Sequence, residues 1–152
     1  MKTTIILGVV GALVTGLAIG TQSTLSSRIG GLIGNFRTGV MMNFIGGILA
    51  GVSALGLTVR QGKTYWSLPA PALVMLVIAG ALGILIITGV SFSLQRTGVA
   101  AGLATIILGQ LVLSVLVDAK GGGGMAPIPI TWTRIAGLLV MGGGVYLLLL
   151  KR

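Results

Sequence analysis

Charged residues punctuate this chain at wide intervals, and the stretches between them are apolar. Thr3 to Ser27, Thr38 to Val59, Thr64 to Gln95, Thr97 to Val117 and Ile135 to Leu150 contain no charge at all. A membrane-spanning helix needs about 17–25 mostly apolar residues. The first four runs meet that length. The fifth reaches it when Thr131, Trp132 and Arg134 join the helix, with the Arg134 head snorkelling to the interface. The pattern predicts an all-α integral membrane protein: five transmembrane helices at residues 4–27, 38–59, 70–94, 98–117 and 132–150, in a single transmembrane domain over 1–152.

Turn residues fall between these runs. Arg28 to Arg37 holds Gly30, Gly31, Gly34 and Asn35 and is expected to be a loop. Arg60, Gln61, Gly62 and Lys63 form the next connection, followed by Tyr65 and Trp66, amphipathic rings suited to headgroup level. Pro69 and Pro71 open the third helix, where proline is tolerated. Only Gln95 to Gly98 separate helices three and four, which implies a tight hairpin. Gly121 to Gly124, then Pro127 and Pro129, suggest a mobile loop, and Trp132 marks the interface before helix five.

Composition supports the membrane reading and excludes much chemistry. Hydrophobic residues make up 55% of the chain and charged ones 7%, against about 25% charged in a soluble domain. The net charge of +9 fits basic loops facing anionic headgroups. No basic patch with interleaved aromatics suggests nucleic acid. Cysteine and histidine are absent and Asp118 is the only acid, so neither a metal site nor paired-carboxylate catalysis is expected. We expect no enzyme activity and no cofactor. The first apolar run is too long for a signal-peptide core, so it is read as a helix of the mature protein.

Five spans put the termini on opposite sides, and the ten basic residues then divide evenly. Lys2, Arg60, Lys63, Lys120 and Arg134 fall on one side, and Arg28, Arg37, Arg96, Lys151 and Arg152 on the other. Lys and Arg bias sets orientation, and acids count for little. A chain without bias is expected to insert both ways up and to pair with its own inverted copy.

Glycine occupies 27 of the 152 positions. Small residues let helices approach closely in a bilayer. Gly16 and Gly20 on helix one, Gly47 and Gly51 on helix two, and Gly102 on helix four are candidates for helix packing or a dimer face. Polar residues within the spans are fewer. Gln22, Asn43, Ser91, Gln110 and Ser114 are the candidate substrate-pathway residues, because an amide or hydroxyl in hydrocarbon turns towards protein or a wet cavity. Gln110, Ser114 and Asp118 share one helical stripe. No carboxylate lies mid-span, where a proton-coupled cation exporter would need a titratable group.

The run Gly109-Gln110-Leu111-Val112-Leu113-Ser114-Val115-Leu116-Val117-Asp118, after Gly98-Val99-Ala100-Ala101-Gly102, resembles the fourth-helix signature of the YdcZ-like family of the drug/metabolite transporter superfamily. Gln22…Arg28-Ile29-Gly30 followed by Asn43-Phe44-Ile45-Gly46 is similar to its first hairpin, and Pro129 to Arg134 leads into a similar glycine-rich last helix. The chain departs at Ser26, where that family often has Asn. The resemblance covers nearly the whole chain. It implies a five-helix unit like the small multidrug transporters, working as an antiparallel pair or as a fused ten-helix protein in the bacterial inner membrane and moving a small solute whose identity the resemblance does not give. Gly20…Leu25…Arg28…Gly30 echoes Gly89…Leu94…Arg96…Gly98, as paired hairpins would.

Taken together, the expected function is alternating-access transport of a small amphipathic or apolar solute by a dual-topology antiparallel homodimer. The expected partners are lipid, that solute and an inverted copy or homologue. Two alternatives stand beside it. Thr38 to Gly47 resembles the second helix of the dual-topology fluoride channels, although Thr88-Gly89-Val90-Ser91-Phe92-Ser93 lacks their Thr-Thr-Phe-Ser-Thr run. A non-transporting membrane subunit is the other.

Overall fold

The computed structural model describes residues 2–61, 68–121 and 126–150, and among them all regular structure is helical. Five helices follow in order: α1 (Lys2–Ile33), α2 (Asn35–Gln61), α3 (Ala70–Thr97), α4 (Val99–Ala119) and α5 (Trp132–Leu150). All five are long and apolar enough to cross a membrane. Lys63, Tyr65, Trp66, Gly122 to Gly124, Lys151 and Arg152 lie outside the described residues, as do the side chains of Lys2 and Arg60. The interface role expected of Tyr65 and Trp66, and the loop expected at Gly121 to Gly124, fall largely there.

The expected ten-residue loop from Arg28 to Arg37 is not formed. Its only non-helical position is Gly34. The reason is that charge marks the edge of the hydrocarbon, whereas a helix ends where its backbone pattern is broken. At 32 residues, α1 is a rod of about 48 Å, longer than the hydrocarbon core of about 30 Å. Arg28 and Arg37 therefore flank a helical corner outside the apolar run. Gly34 turns this corner at φ +89, a left-handed conformation that costs a residue with a Cβ about 1–2 kcal/mol. Its N–H donates to Gly30 O (2.9 Å), and its carbonyl accepts from Thr38 N (3.0 Å) and Thr38 Oγ1 (2.9 Å).

Gly98 repeats the device between α3 and α4. It has φ +77, donates to Leu94 O (2.9 Å) and accepts from Gly102 N (3.0 Å). The internal echo is thus real in kind but shifted in register: Gly98 corresponds to Gly34, not Gly30. At the start of α3 the Pro69 carbonyl accepts from Ala72 N (2.9 Å). Pro71 sits in the first turn, where its missing N–H breaks no helical bond.

Contacts divide the chain into two compact units, Met1–Phe92 and Ser93–Arg152, with the boundary inside α3. In the first, α1 packs on α2, and α2 meets α3 at two small residues. A Cβ added at Gly39 would come within 2.6 Å of Ile84 O and would collide with Thr88 Oγ1, while one at Gly83 would lie 2.8 Å from Asn43 Oδ1. The pairing of 39 with 84 and 88, and of 43 with 83, makes the two helices antiparallel there. In the second unit α4 packs on α5, with Leu94, Ala101 and Val145 buried. A Cβ at Gly102 would meet Leu94 Cδ1 at 2.9 Å and Thr97 Oγ1 at 2.7 Å.

The base of that second unit is tied by its one acid. Asp118 Oδ2 lies 3.2 Å from Arg134 Nη1, each side chain 30% exposed. The Asp118 carbonyl also accepts from Ile128 N (2.9 Å), drawing the connection back against α4. Thr131 starts α5, its Oγ1 accepting from Arg134 N (3.4 Å), so Arg134 does belong to the helix.

Gly39→Ala forces two backbones apart and should cost about 1–3 kcal/mol. Gly47→Ala, where an added Cβ meets nothing within 4 Å, should leave the single chain's thermal unfolding in detergent unchanged. Asp118→Asn should cost about 1 kcal/mol or less, as a partly exposed pair does, and the loss should vanish in an Arg134→Gln background.

Candidate functional site

Among the described residues of the first unit the buried side chains are hydroxyls: Ser23, Ser26, Thr38 and Ser91. Large apolar side chains such as Leu17, Phe44, Leu49 and Val77 point outwards. This inverts the pattern of a soluble core and is what a hydrocarbon solvent demands, because lipid tails are as apolar as leucine.

Two of them, Ser26 and Ser91, meet where α1, α2 and α3 come together. Ser26 sits two turns before the Gly34 corner, and Asn35 opens α2 just after it. Ser91 Oγ reaches Ser26 O (3.0 Å) on α1 and Asn35 Oδ1 (2.7 Å) on α2, and is fully buried. Ser26 Oγ returns a bond of 3.3 Å to Ile87 O on α3. Ser91 has one proton for its two acceptors, so tightening one contact loosens the other. Thr38, also fully buried, spends its hydroxyl on the corner itself.

Two turns away along α3, about 12 Å at 1.5 Å per residue, Asn43 faces Gly83. Its Nδ2 donates to Gly39 O (2.8 Å) on its own helix, and the residue is half-buried. Between these two polar points, α2 and α3 frame a groove of about 490 Å³ lined by Phe36, Val40, Ala81, Ile84, Leu85 and Thr88. Thr88 gives its proton to Ile84 O (2.7 Å).

The other expected pathway residues lie elsewhere. Gln22 is one turn before Ser26 on the same stripe of α1 but is exposed. Gln110 and Ser114 are exposed on α4, and Ser114 Oγ turns back to Gln110 O (2.8 Å). The structure therefore places Ser91 and Asn43 on the α2–α3 contact about two turns apart, without bringing them together, and leaves Gln22 exposed; Gln110 and Ser114 belong to the second unit. Among the packing candidates, Gly102 is buried against Leu94, whereas a Cβ at Gly16, Gly20, Gly47 or Gly51 would meet nothing within 4 Å. Ser26, Asn35 and Thr38 are the residues that sequence reasoning missed. Asn35 reads as a turn former beside Gly34, and nothing in the linear pattern shows its amide reaching α3. The departure at Ser26 was the available signal.

With this arrangement in view, comparison with known families is decisive. The family described as "Putative inner membrane exporter, YdcZ" matches residues 7–147. The chain belongs to this family. The matched stretch takes in nearly all of the five helices, so the YdcZ resemblance of the helix-four run extends over the whole fold. No curated protein and no solved structure matches. As a YdcZ-family member the chain is a multi-pass inner-membrane protein of a transporter family.

Ser91 offers the sharpest test of the junction. Ser91→Ala removes the hydrogen bonds that tie α3 to Asn35 Oδ1 and to the Ser26 carbonyl. The expected cost is about 0.6–1.7 kcal/mol, the range for an interhelical hydrogen bond in a membrane protein. Thermal unfolding in detergent, with Ser93→Ala as the control, measures it.

Proposed function

We propose that the protein transports small amphipathic or apolar solutes across the inner membrane by alternating access, as a dual-topology antiparallel homodimer. One observation carries this reading. Gln22 and Gln110 stand exposed on the single chain, within helices long and apolar enough to cross a membrane. An amide left facing hydrocarbon is costly, so it turns to protein or to a wet cavity. An inverted second copy provides that environment and supplies the inverted-repeat design that transporters use.

The family match supports export as the direction of the chemistry. Five spans and that match weigh against a four-span fluoride channel. In this reading Gln22, Asn43 and Gln110 line the pathway, with Ser91 and Ser114 beside it. Gly16, Gly20, Gly47 and Gly51 offer smooth faces to the second copy.

Single cysteines placed at residue 2 and after residue 152 should each label in part of the population when intact cells are treated from outside. Labelling of one end alone would overturn dual topology. In proteoliposomes, Asn43→Ala combined with Gln110→Ala should lower saturable counterflow of a radiolabelled small amphiphile by about tenfold, the equivalent of one lost polar contact of 1.4 kcal/mol. Unchanged counterflow would remove both residues from the pathway.

A further inference from the structure

We infer that the protein moves its solute without exchanging a proton, and that its one acid, Asp118, is a fixed counter-ion for Arg134. A pH gradient then neither drives nor brakes the transport. This deepens the transport reading and rests on it.

A proton exchanger needs a side chain that takes up and releases a proton and that meets each side of the membrane in turn. Carboxylates and imidazoles in the interior of a span are the usual carriers, and a perturbed thiol can titrate in the same range. This chain has one acid, no histidine and no cysteine. Thr3 to Ser27, Thr38 to Val59 and Thr97 to Val117 hold no ionisable side chain of any kind. Thr64 to Gln95 and Ile135 to Leu150 hold one tyrosine each. Tyr65 precedes α3, and Tyr146 lies in the last turns of α5. The lysines and arginines flank the runs.

Asp118 is the one carboxylate left to consider, and its place rules it out as a carrier. It is the penultimate residue of α4. Gln110, the proposed pathway residue on the same stripe, is two turns back, about 12 Å at 1.5 Å per residue. Asp118 Oδ2 lies 3.2 Å from Arg134 Nη1, in the first turn of the helix packed against α4. The other charged side chain beside it in the chain is Lys120, exposed just past the end of α4. The Asp118 carbonyl accepts from Ile128 N (2.9 Å), which ties the same residue to the connection. A proton on this carboxylate would strip Arg134 of its counter-charge, and breaking such a pair from one side costs more than the pair contributes. Inversion does not change this. In the proposed antiparallel pair the two Asp118 side chains would stand at opposite faces of the membrane, each reached from its own side alone.

Proteoliposomes loaded with pyranine and radiolabelled chloramphenicol, an uncharged amphiphile, test the inference. Saturable counterflow should run at the same rate at about pH 6 and about pH 7.5, on either side of the histidine range. An imposed pH gradient should not concentrate the label, and pyranine should report no solute-dependent proton flux. Asp118→Asn combined with Arg134→Gln removes both charges together and should keep counterflow within about twofold of the unaltered chain. Gln110→Glu places a carboxylate mid-span and should turn the flat pH profile into a sloped one, so the assay registers a carrier where one exists. Accumulation driven by the pH gradient, or solute-dependent proton flux, with counterflow intact overturns this inference alone. So does loss of counterflow in the double variant when its thermal unfolding in detergent is unchanged. Absence of saturable counterflow in the unaltered chain sinks the transport reading, and this inference with it.

Discussion

The seating of α3 on α2 depends on the contact at Gly39, where the two helices approach so closely that no Cβ fits between them. In water two helices would be held by apolar burial. In a bilayer that force is absent between helices, and packing, hydrogen bonds and close backbone approach must replace it. Gly39 and Gly83 provide the approach. The approach in turn brings Thr88 and Asn43 to the junction and sets the depth of the groove above it. Ser26, Ser91 and Asn35 add bonds that few other residues of that size could make in so little space.

The same contact explains why hydroxyls are inside and leucines outside. A serine or threonine buried between helices spends its proton on a carbonyl, as Thr38 does on Gly34 and Thr88 on Ile84. A leucine gains nothing by being buried there instead of in lipid. Gln22 and Gln110 are then the anomalies, since amides this long should not face hydrocarbon. That is why they, and not the hidden serines, support a second chain.

The helices were legible in the sequence because charge-free runs report bilayer thickness directly. Their ends were not, because Arg28 marks the headgroup level while α1 continues to Ile33. The corners at Gly34 and Gly98 were hidden among other glycines; only a positive φ distinguishes them, and Gly30 looked as good a partner for Gly98. At the candidate site, Ser91 and Asn43 stood out as polar residues in apolar runs. Ser26 and Asn35 did not, because their partners lie more than fifty residues away along the chain and no periodicity encodes that distance. The glycine stripes were visible, but spacing cannot tell a glycine pressed against a neighbour, such as Gly102, from one facing outwards, such as Gly47.

The pairing of Asp118 with Arg134 bears on orientation as well as on packing. An even division of basic residues leaves insertion unbiased. Arg134 lies in the first turn of α5 with its charge held against the chain's only carboxylate. On the sidedness expected of five spans, discounting it would leave Lys2, Arg60, Lys63 and Lys120 on one side against Arg28, Arg37, Arg96, Lys151 and Arg152 on the other. A difference of one charge is small for a rule that works through marked excess. The acid thus spares the membrane an unpaired arginine at the start of a short helix, and on the proposed dual topology it would leave the orientational balance nearly level. An inverted pair of identical chains requires that balance, whereas a pair of distinct inverted partners would need each chain to be strongly biased.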